Sequence, residues 1–381
     1  MQGLMRLKLP IQDLVEEILN QLPDHVWSDP NTTFLDPAMA GGQFIRAIER
    51  RLLAAGHSKE NVAGRVYGCE EKLIRVKYVQ NWHKVVSSHL YVRDFITHDW
   101  GNMKFDVIVG NPPYQSEKRT GTQPLWPLFV NKAAHLLSDS GYMGMVIPNK
   151  WCGHTTNVIK GNIHLYSNVL QHKMLSCDIQ KCSAKFPGVG GYENCFSWFM
   201  MSNAGSKSFT ASTLEADYVV QSDWFDYLPL RSLNEVTSNI LKKVRTTDTY
   251  QFKQVSTGFV NQNNGSVVIS MAQRMHYSKL NIYWDKQSKV DPTSKSTVSQ
   301  ITFNKSSQKK IDSVFRSKLF KFIYAIYWNN DNFSTSFYNN LPYLDLNNLW
   351  TDSSIYKKFN LSVQEIEYIE KYLVEHITGN P

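Results

Sequence analysis

A chain of 381 residues is long enough for two domains of ordinary size, each with its own core. Its hydrophobic fraction of 42% with 13% aromatics excludes a disordered or fibrous chain, and its net charge of +8 points to a polyanionic partner. Five cysteines in this length do not make a disulfide framework, and no apolar run approaches the roughly 18 to 20 residues of a membrane helix, so a reducing cytoplasm and no membrane partner are expected.

In chain order, Ile11, Leu14, Val15, Ile18, Leu19 and Leu22 recur with a helical period, and Pro23 ends that helix. Residues 32–36 read as a strand, 37–42 as a tight turn, and 44–55 as a helix with Phe44, Ile45, Ile48, Leu52 and Leu53 as its apolar positions. A second strand spans 64–69, followed by Glu70-Glu71 and a helix to Gln80. A third spans 88–92, with Arg93-Asp94-Phe95-Ile96 as its exit. Residues 105–109 form a short β-branched apolar run, the pattern of a strand buried on both faces of a parallel sheet. Residues 126–137 read as a helix, 141–148 as a fifth strand and 195–201 as a further one.

Strands alternating with helices imply βαβ units, so an α/β fold with a doubly wound, mostly parallel sheet is expected over residues 1–203. Beyond Asn203 that rhythm stops. Strand-like pieces at 217–220, 266–269 and 301–303, with helices near 314–327 and 363–374, predict a second domain of mixed α+β structure over 204–381.

The loops after four successive strands carry residues suited to a ligand, all on the sheet edge where open α/β sheets bind. Asp36 and the turn through Ala38, Ala40 and Gly42 let backbone approach a ligand closely. The turn lacks both the dinucleotide fingerprint and the Lys-Ser/Thr of a phosphate loop, so Asp36 favours a ligand with a cationic amine. An ordinary Asp-Pro turn is the competing reading. Glu70 suits the two hydroxyls of a ribose, with a helix-start carboxylate as the alternative, a role expected more of Glu71. Asp94 offers a carboxylate to an exocyclic amine and Phe95 a ring to a purine face.

After the fourth strand, Asn111-Pro112-Pro113-Tyr114 makes a stiff corner. Two prolines fix φ and remove two donors, leaving the Asn111 carboxamide oxygen, the Pro112 carbonyl and an aromatic face. Two adjacent acceptors suit a planar amine with two hydrogens to donate. His172, Cys177, Cys182 and Cys195 can be drawn as a zinc set. Their C-x4-C spacing is looser than a zinc knuckle and no second pair mirrors it, so no metal is expected and the thiols are read as free.

Asp36-Pro-Ala-Met-Ala-Gly-Gly-Gln-Phe44 followed by Asn111-Pro-Pro-Tyr114 resembles the adenine-N6 DNA methyltransferases of restriction–modification systems, in an order similar to their γ arrangement. By motif the resemblance covers residues 9–201. It implies a Rossmann-like class I methyltransferase domain, a C-terminal target-recognition domain, S-adenosyl-L-methionine (AdoMet) as methyl donor, double-stranded DNA as partner, a cognate restriction endonuclease, and a prokaryotic or phage origin. Carried over residue by residue, Asp36 with Ala38, Ala40 and Gly42 holds the methionine end of AdoMet, Glu70 its ribose, and Asp94 and Phe95 its adenine. Asn111 and Pro112 bind the target amine, Pro113 completes the corner, and Tyr114 stacks on the target ring. Phe186, with Pro187, resembles the loop that brings a second aromatic to the flipped base; a core aromatic is the competing reading. Ala40-Gly41 departs from the family's usual Gly-Ser or Gly-Thr. The N-terminal helix keeps only Pro10 of the usual Phe-x-Thr-Pro lead and is assigned no contacts.

The resemblance implies a mechanism. Adenine N6 is a poor nucleophile because its lone pair is delocalised into the ring, and hydrogen bonds from both its hydrogens to Asn111 Oδ1 and the Pro112 carbonyl would make it more tetrahedral. Direct in-line transfer needs no covalent enzyme intermediate, and a base inside a duplex has to be flipped out to be reached. Residues 242–321 hold fifteen Lys and Arg against four Asp, interleaved with Phe252, Phe259, Tyr277, Tyr283, Trp284 and Phe303. That composition suits phosphates and bases, with Arg274 and the many Asn and Gln reading base edges; a solvated basic face is the alternative. After residue 330 the chain turns acidic (Asp345, Asp352, Glu365, Glu367, Glu370, Glu375), and this tail is expected to pack or to face solvent away from DNA. Because the pattern begins almost at Met1, no nuclease domain is expected. The rival readings are the same fold acting on cytosine N4, an RNA base or a protein glutamine, and a non-catalytic DNA-binding protein, supported only by the altered Ala40-Gly41 turn.

Overall fold

The computed structural model describes residues 10–115, 124–152, 169–170, 172–186, 196–213, 216–221, 229, 231–256, 266–270, 282–284, 297–302, 308–327 and 335–378. Two compact units divide the chain, one of Met1–Asn149 with Asn157–Asp223, the other of Lys150–Thr156 with Trp224–Pro381.

In the first unit the described elements are α1 (Pro10–Leu19), α2 (Asp24–Ser28), β1 (Phe34–Asp36), α3 (Gln43–Ala54), α4 (Lys59–Arg65), β2 (Val66–Glu70), α5 (Leu73–His83), β3 (His89–Val92), β4 (Phe105–Gly110), α6 (Trp126–Leu136), β5 (Leu137–Pro148), β6 (Met174–Asp178), β7 (Phe196–Ser202), β8 (Ser208–Ser212) and β9 (Asp217–Gln221). The nine strands form one sheet in the order β3-β2-β1-β4-β5-β7-β6-β8-β9. The run from β3 to β5 is parallel throughout, β7 is antiparallel to both β5 and β6, and β8 returns parallel to β6. This is the α/β, doubly wound, mostly parallel sheet that the strand–helix alternation predicts.

The central strands read as continuous apolar runs because both faces of the sheet are covered. Val107, Ile108 and Val109 of β4 are all fully buried. Leu14 and Ile18 of α1, Ile45, Ile48 and Leu52 of α3, and Val62 of α4 share one core with Phe34, Val66, Val107 and Val109. A second packed group joins Phe95, Trp100, Phe105 and Phe129 through ring contacts.

The sheet continues past residue 203. Phe209 and Ala211 of β8 are buried while their neighbours are half-buried, and β8 pairs with β6 on one side and β9 on the other. Strands covered on one face alternate in polarity, so this stretch reads as a change of composition although it belongs to the same sheet. The strand expected at 217–220 is therefore β9 of the first unit.

The second unit contains α7 (Glu235–Val244), β10 (Lys253–Ser256), β11 (Ser266–Ser270), β12 (Ile282–Trp284), β13 (Thr297–Thr302), α8 (Gln308–Phe315), α9 (Lys318–Tyr327), α10 (Thr335–Asn339), α11 (Asp352–Lys358) and α12 (Val363–Leu373). Its strands make an antiparallel sheet in the order β10-β13-β11-β12. The helix expected over 314–327 is two helices, because Ser317 falls between them and its hydroxyl takes the Phe320 amide at 3.5 Å, as N-cap serines do. Capping boxes at Thr351/Ser354 and Ser362/Glu365 start α11 and α12.

The core of this unit is aromatic: Tyr250, Phe252, Phe315, Phe320, Phe322, Tyr324 and Tyr338 are all buried. Phe252, one of the rings interleaved with the basic residues, belongs to this core. It lies 5.5 Å from Tyr338 and 5.9 Å from Phe315, and its amide donates to Asn339 Oδ1 at 2.6 Å. Arg274, Phe259, Tyr277 and Phe303 lie outside the described residues. Phe252→Ala should therefore lower the stability of the second unit by about 3–5 kcal/mol, seen as a lower urea midpoint; a ring kept for DNA would leave that midpoint unmoved.

Candidate active site

The strand order reverses between β1 and β4, and ligands of open α/β sheets sit at the carboxyl ends of such a pair. Asp36 closes β1 and Gly110 closes β4, with the Asn111 corner immediately after. Gly110 has no side chain for a steric reason. A Cβ there would fall 3.0 Å from Asp36 Oδ1 and 3.0 Å from Pro37 Cδ, so the two motifs touch across the strand pair.

Asp36 is 1% exposed and accepts the Ala38 amide at 3.1 Å. Burial pushes its carboxyl up to about 8, opposed by that amide and reinforced by the charge of Glu70. A carboxylate this dry favours a cation beside it. The turn is built by backbone hydrogen bonds: the Met39 amide donates to the Cys69 carbonyl at 3.0 Å and the Gly42 amide to the Met39 carbonyl at 2.6 Å. Ala40 and Gly42 have φ of 44° and 73°, both left-handed. Gly42 takes this freely, and a Cβ there would fall 2.8 Å from Val79 Cγ1 of α5. Ala40 bears a strain of about 1–2 kcal/mol where a glycine would bear none.

Glu70 is 8% exposed, accepts the Lys72 amide at 2.9 Å and pairs with Arg75 at 3.4 Å. The helix-start role expected of Glu71 thus falls to Glu70, while Glu71 is exposed. Asp94 is half-buried and takes the amides of Ile96 and Thr97 at 2.9 and 3.4 Å, which turns the chain at the end of β3. Phe95 departs from its expected place. Its ring is 1% exposed, stacked on Phe129 at 5.3 Å and tilted against Trp100 at 5.8 Å, so the core uses the faces meant for a purine. Cys69, whose thiol burial pushes up to about 12, is no nucleophile.

On the acceptor side, the Tyr114 hydroxyl donates to Asn111 Oδ1 at 2.7 Å. Burial raises the Tyr114 phenol, so it stays a neutral donor. Pro112 is buried and Pro113 exposed. The Tyr114 carbonyl accepts the Leu125 amide at 3.0 Å, which ties the corner to the start of α6. The Tyr114 ring lies 5.0 Å from Phe196, and Phe196 lies 4.9 Å from Phe186. Phe186 is thus gathered with Tyr114 through a third ring at the start of β7. Nothing local in the sequence marks Phe196 for this; its place after the Phe186-Pro187 loop and at the head of a strand was the one available hint. Pro187 and Cys195 lie outside the described residues, as does much of the loop after Tyr114.

The Phe186 loop begins as a short 3-10 turn, Lys181–Lys185. Asp178 Oδ1 opens it by accepting the amides of Gln180 and Lys181 at 2.9 and 2.7 Å. Cys177 and Cys182 are buried free thiols, and His172 is exposed. Among the described residues no three His, Cys, Asp or Glu side chains gather to hold a metal.

A buried carboxyl and a hydrogen-bond-accepting corner thus stand at the ends of neighbouring strands, a layout suited to holding a cationic donor beside an amine. The Asp36 shift carries a prediction. A carboxyl raised in the folded state contributes stability that is fully present below its ordinary value of 3.8 and lost as pH rises to about 8. Asp36→Asn removes that dependence, so the mutant should melt well above wild type near pH 8 and the two should converge near pH 4, by calorimetry without ligand.

Residues 48–173 match the model of the Eco57I restriction-modification methylase family. Over 65 residues the chain is 40% identical to an uncharacterized adenine-specific methylase of Mycoplasma pneumoniae, a match covering 16% of this chain and 15% of the relative. Among solved structures it is similar to the methyltransferase subunit of a type I restriction-modification system from Streptococcus thermophilus, at 14% identity and a TM-score of 0.39 over 60% of this chain and 50% of that one. It is also similar to the M protein of the type I restriction enzyme EcoKI, at 14% identity and a TM-score of 0.38 over 55% of this chain and 44% of that one. The chain spans half or less of the length of these relatives. The matched residues 48–173 are the stretch that holds Glu70, Asp94 and the corner at 111–114.

Proposed function

We propose that this protein transfers a methyl group from AdoMet to the N6 amine of an adenine flipped out of duplex DNA. The observation that carries this reading is the contact of Gly110 with Asp36 and Pro37, which sets a cation-seeking carboxylate beside an amine-accepting corner. AdoMet fits the first half of the site, because it brings a cationic amine to Asp36 and supplies a methyl group on a sulfonium. The turn at 38–42 takes its methionine end, Glu70 and Asp94 lie at the next two strand ends for its ribose and adenine, and Phe95 backs that wall from the core. The second unit is assigned DNA recognition, and a cognate restriction endonuclease and a cytoplasmic location go with the reading.

The chain's own residues then act on the target amine. Asn111 Oδ1 and the Pro112 carbonyl accept its two hydrogens, which frees the nitrogen lone pair for attack. A carboxamide oxygen has two lone pairs, so the Tyr114 hydroxyl can stay bonded to Asn111 while the amine arrives, and it aims the acceptor. The Tyr114 ring, continued by Phe196 and Phe186, gives a flipped base an aromatic wall.

Tritiated AdoMet supplied with duplex DNA, RNA and protein extract tests the substrate; label confined to RNA or protein overturns the reading. Sequencing of DNA from expressing cells by a method that reports modified adenine gives the base and the site. Asn111→Ala should lower kcat by about 10²–10³-fold or more while AdoMet and DNA still bind, and full activity would sink the mechanism. Tyr114→Phe keeps the ring and loses one hydrogen bond, so kcat should fall about threefold to tenfold. Tyr114→Ala also loses stacking and should weaken DNA binding by about 1–3 kcal/mol in filter-binding titrations.

A further inference from the structure

We propose that Glu17 of α1 is a positioning residue for the aromatic wall of the methyl-transfer corner, holding the Phe186 loop against β7. This deepens the proposed function and rests on it. Each oxygen of the Glu17 carboxylate has its own partner. Oε1 accepts the Trp198 indole N–H at 3.0 Å, and Oε2 is paired with Lys185 Nζ. Lys185 is the last residue of the 3-10 turn and directly precedes Phe186. Trp198 lies two residues from Phe196 on β7, hence on the same face of the strand.

Trp198 is 2% exposed and laddered to Val146 and Asp178, so it gives Glu17 a fixed reference in the sheet. Glu17 passes that reference to the loop through the ammonium beside Phe186. A second tie acts alongside: Ser183 Oγ accepts the Phe196 amide at 2.8 Å and donates to the Phe196 carbonyl at 3.1 Å. From the loop the path to the corner is short. Phe186 touches Phe196, Phe196 touches Tyr114, and the Tyr114 hydroxyl holds Asn111 Oδ1. Losing the carboxylate frees the loop end from α1 and leaves the half-buried Lys185 ammonium unpaired. The turn at 38–42 takes no part in this path, so methyl-donor binding should not follow it.

The test uses the full chain with Glu17→Ala, Glu17→Gln and Lys185→Met, each alone and with Phe186→Leu. Wild type must first label unmethylated genomic DNA from tritiated AdoMet; no label overturns the substrate reading rather than this one. Glu17→Ala should lower kcat/KM for DNA by about tenfold to a hundredfold with the AdoMet Kd within about twofold, because small misplacements of reacting groups have effects of that size. Glu17→Gln keeps an acceptor for Trp198 and should fall between. With Phe186→Leu already present, Glu17→Ala should add little, since both changes act on one element. Hydrogen–deuterium exchange supplies a readout independent of activity: faster exchange at 181–186 and 111–115, unchanged at 34–44. Wild-type activity in Glu17→Ala, a loss that simply adds to that of Phe186→Leu, or exchange raised evenly across the unit would overturn the proposal. Should Glu17→Ala not fold, Lys185→Met breaks the same pair from the loop side and is judged by the same outcomes.

Discussion

The contact on which the site depends is the one that Gly110 allows between two parallel strands. β1 and β4 are neighbours at the point where the sheet reverses its order, and each ends in a group that must reach the same small volume. With no Cβ on Gly110, the Asp36 carboxylate and the Pro37 ring close over the end of β4. The same closeness buries Asp36, and burial raises its carboxyl, so it ionises readily only when a positive charge stands beside it.

Legibility followed the range of the interaction. The four strand ends, the tight turn and the stiff corner are backbone features, and their signals lie within a few residues of each other: a β-branched run, a glycine, a pair of prolines. Partnerships set by distant residues were not legible. Phe95 reads as a ring available to a purine until Phe129, far away in sequence, takes up its face, and Phe252, set among cations in the sequence, packs on Phe315 and Tyr338. The choice between Glu70 and Glu71 turned on which side chain reaches the Lys72 amide just before α5, and that is set by where β2 ends. The polar look of residues 204–221 hid two strands of the main sheet because they lie at its less covered end.

The second unit gives the basic stretch a mixed character. Among the described residues, Lys243 pairs with Glu365, Lys318 with Glu370, and Arg316 with Asp312. Two of these pairs reach α12, so the acidic tail packs onto the very helices that carry positive charge. The Lys243 pair is the least exposed, its carboxylate 8% accessible, and it fixes α12 to α7 rather than offering a free cation to a phosphate. Interleaved aromatics and cations therefore divide by depth: rings such as Phe252 and Phe315 build the core, and charges of the same stretch staple helices over it.

A hydrogen-bond-accepting corner on a loop has to take its precision from something stiffer, because loops move. Here the sheet is the lender twice. Gly110 ties Asn111 to the end of β4, and Phe196, laddered to Pro148 of β5, stands between the rings of two loops. A wall of Tyr114 and Phe186 alone would be two loop side chains free to drift apart. With Phe196 touching both, and with Ser183 and Glu17 holding the Phe186 loop to β7 and α1, each ring is referenced to the strand that packs beside the site. The N-terminal helix, to which no sequence motif assigns a contact, reaches the Phe186 loop and β7 by one carboxylate on an ammonium and an indole.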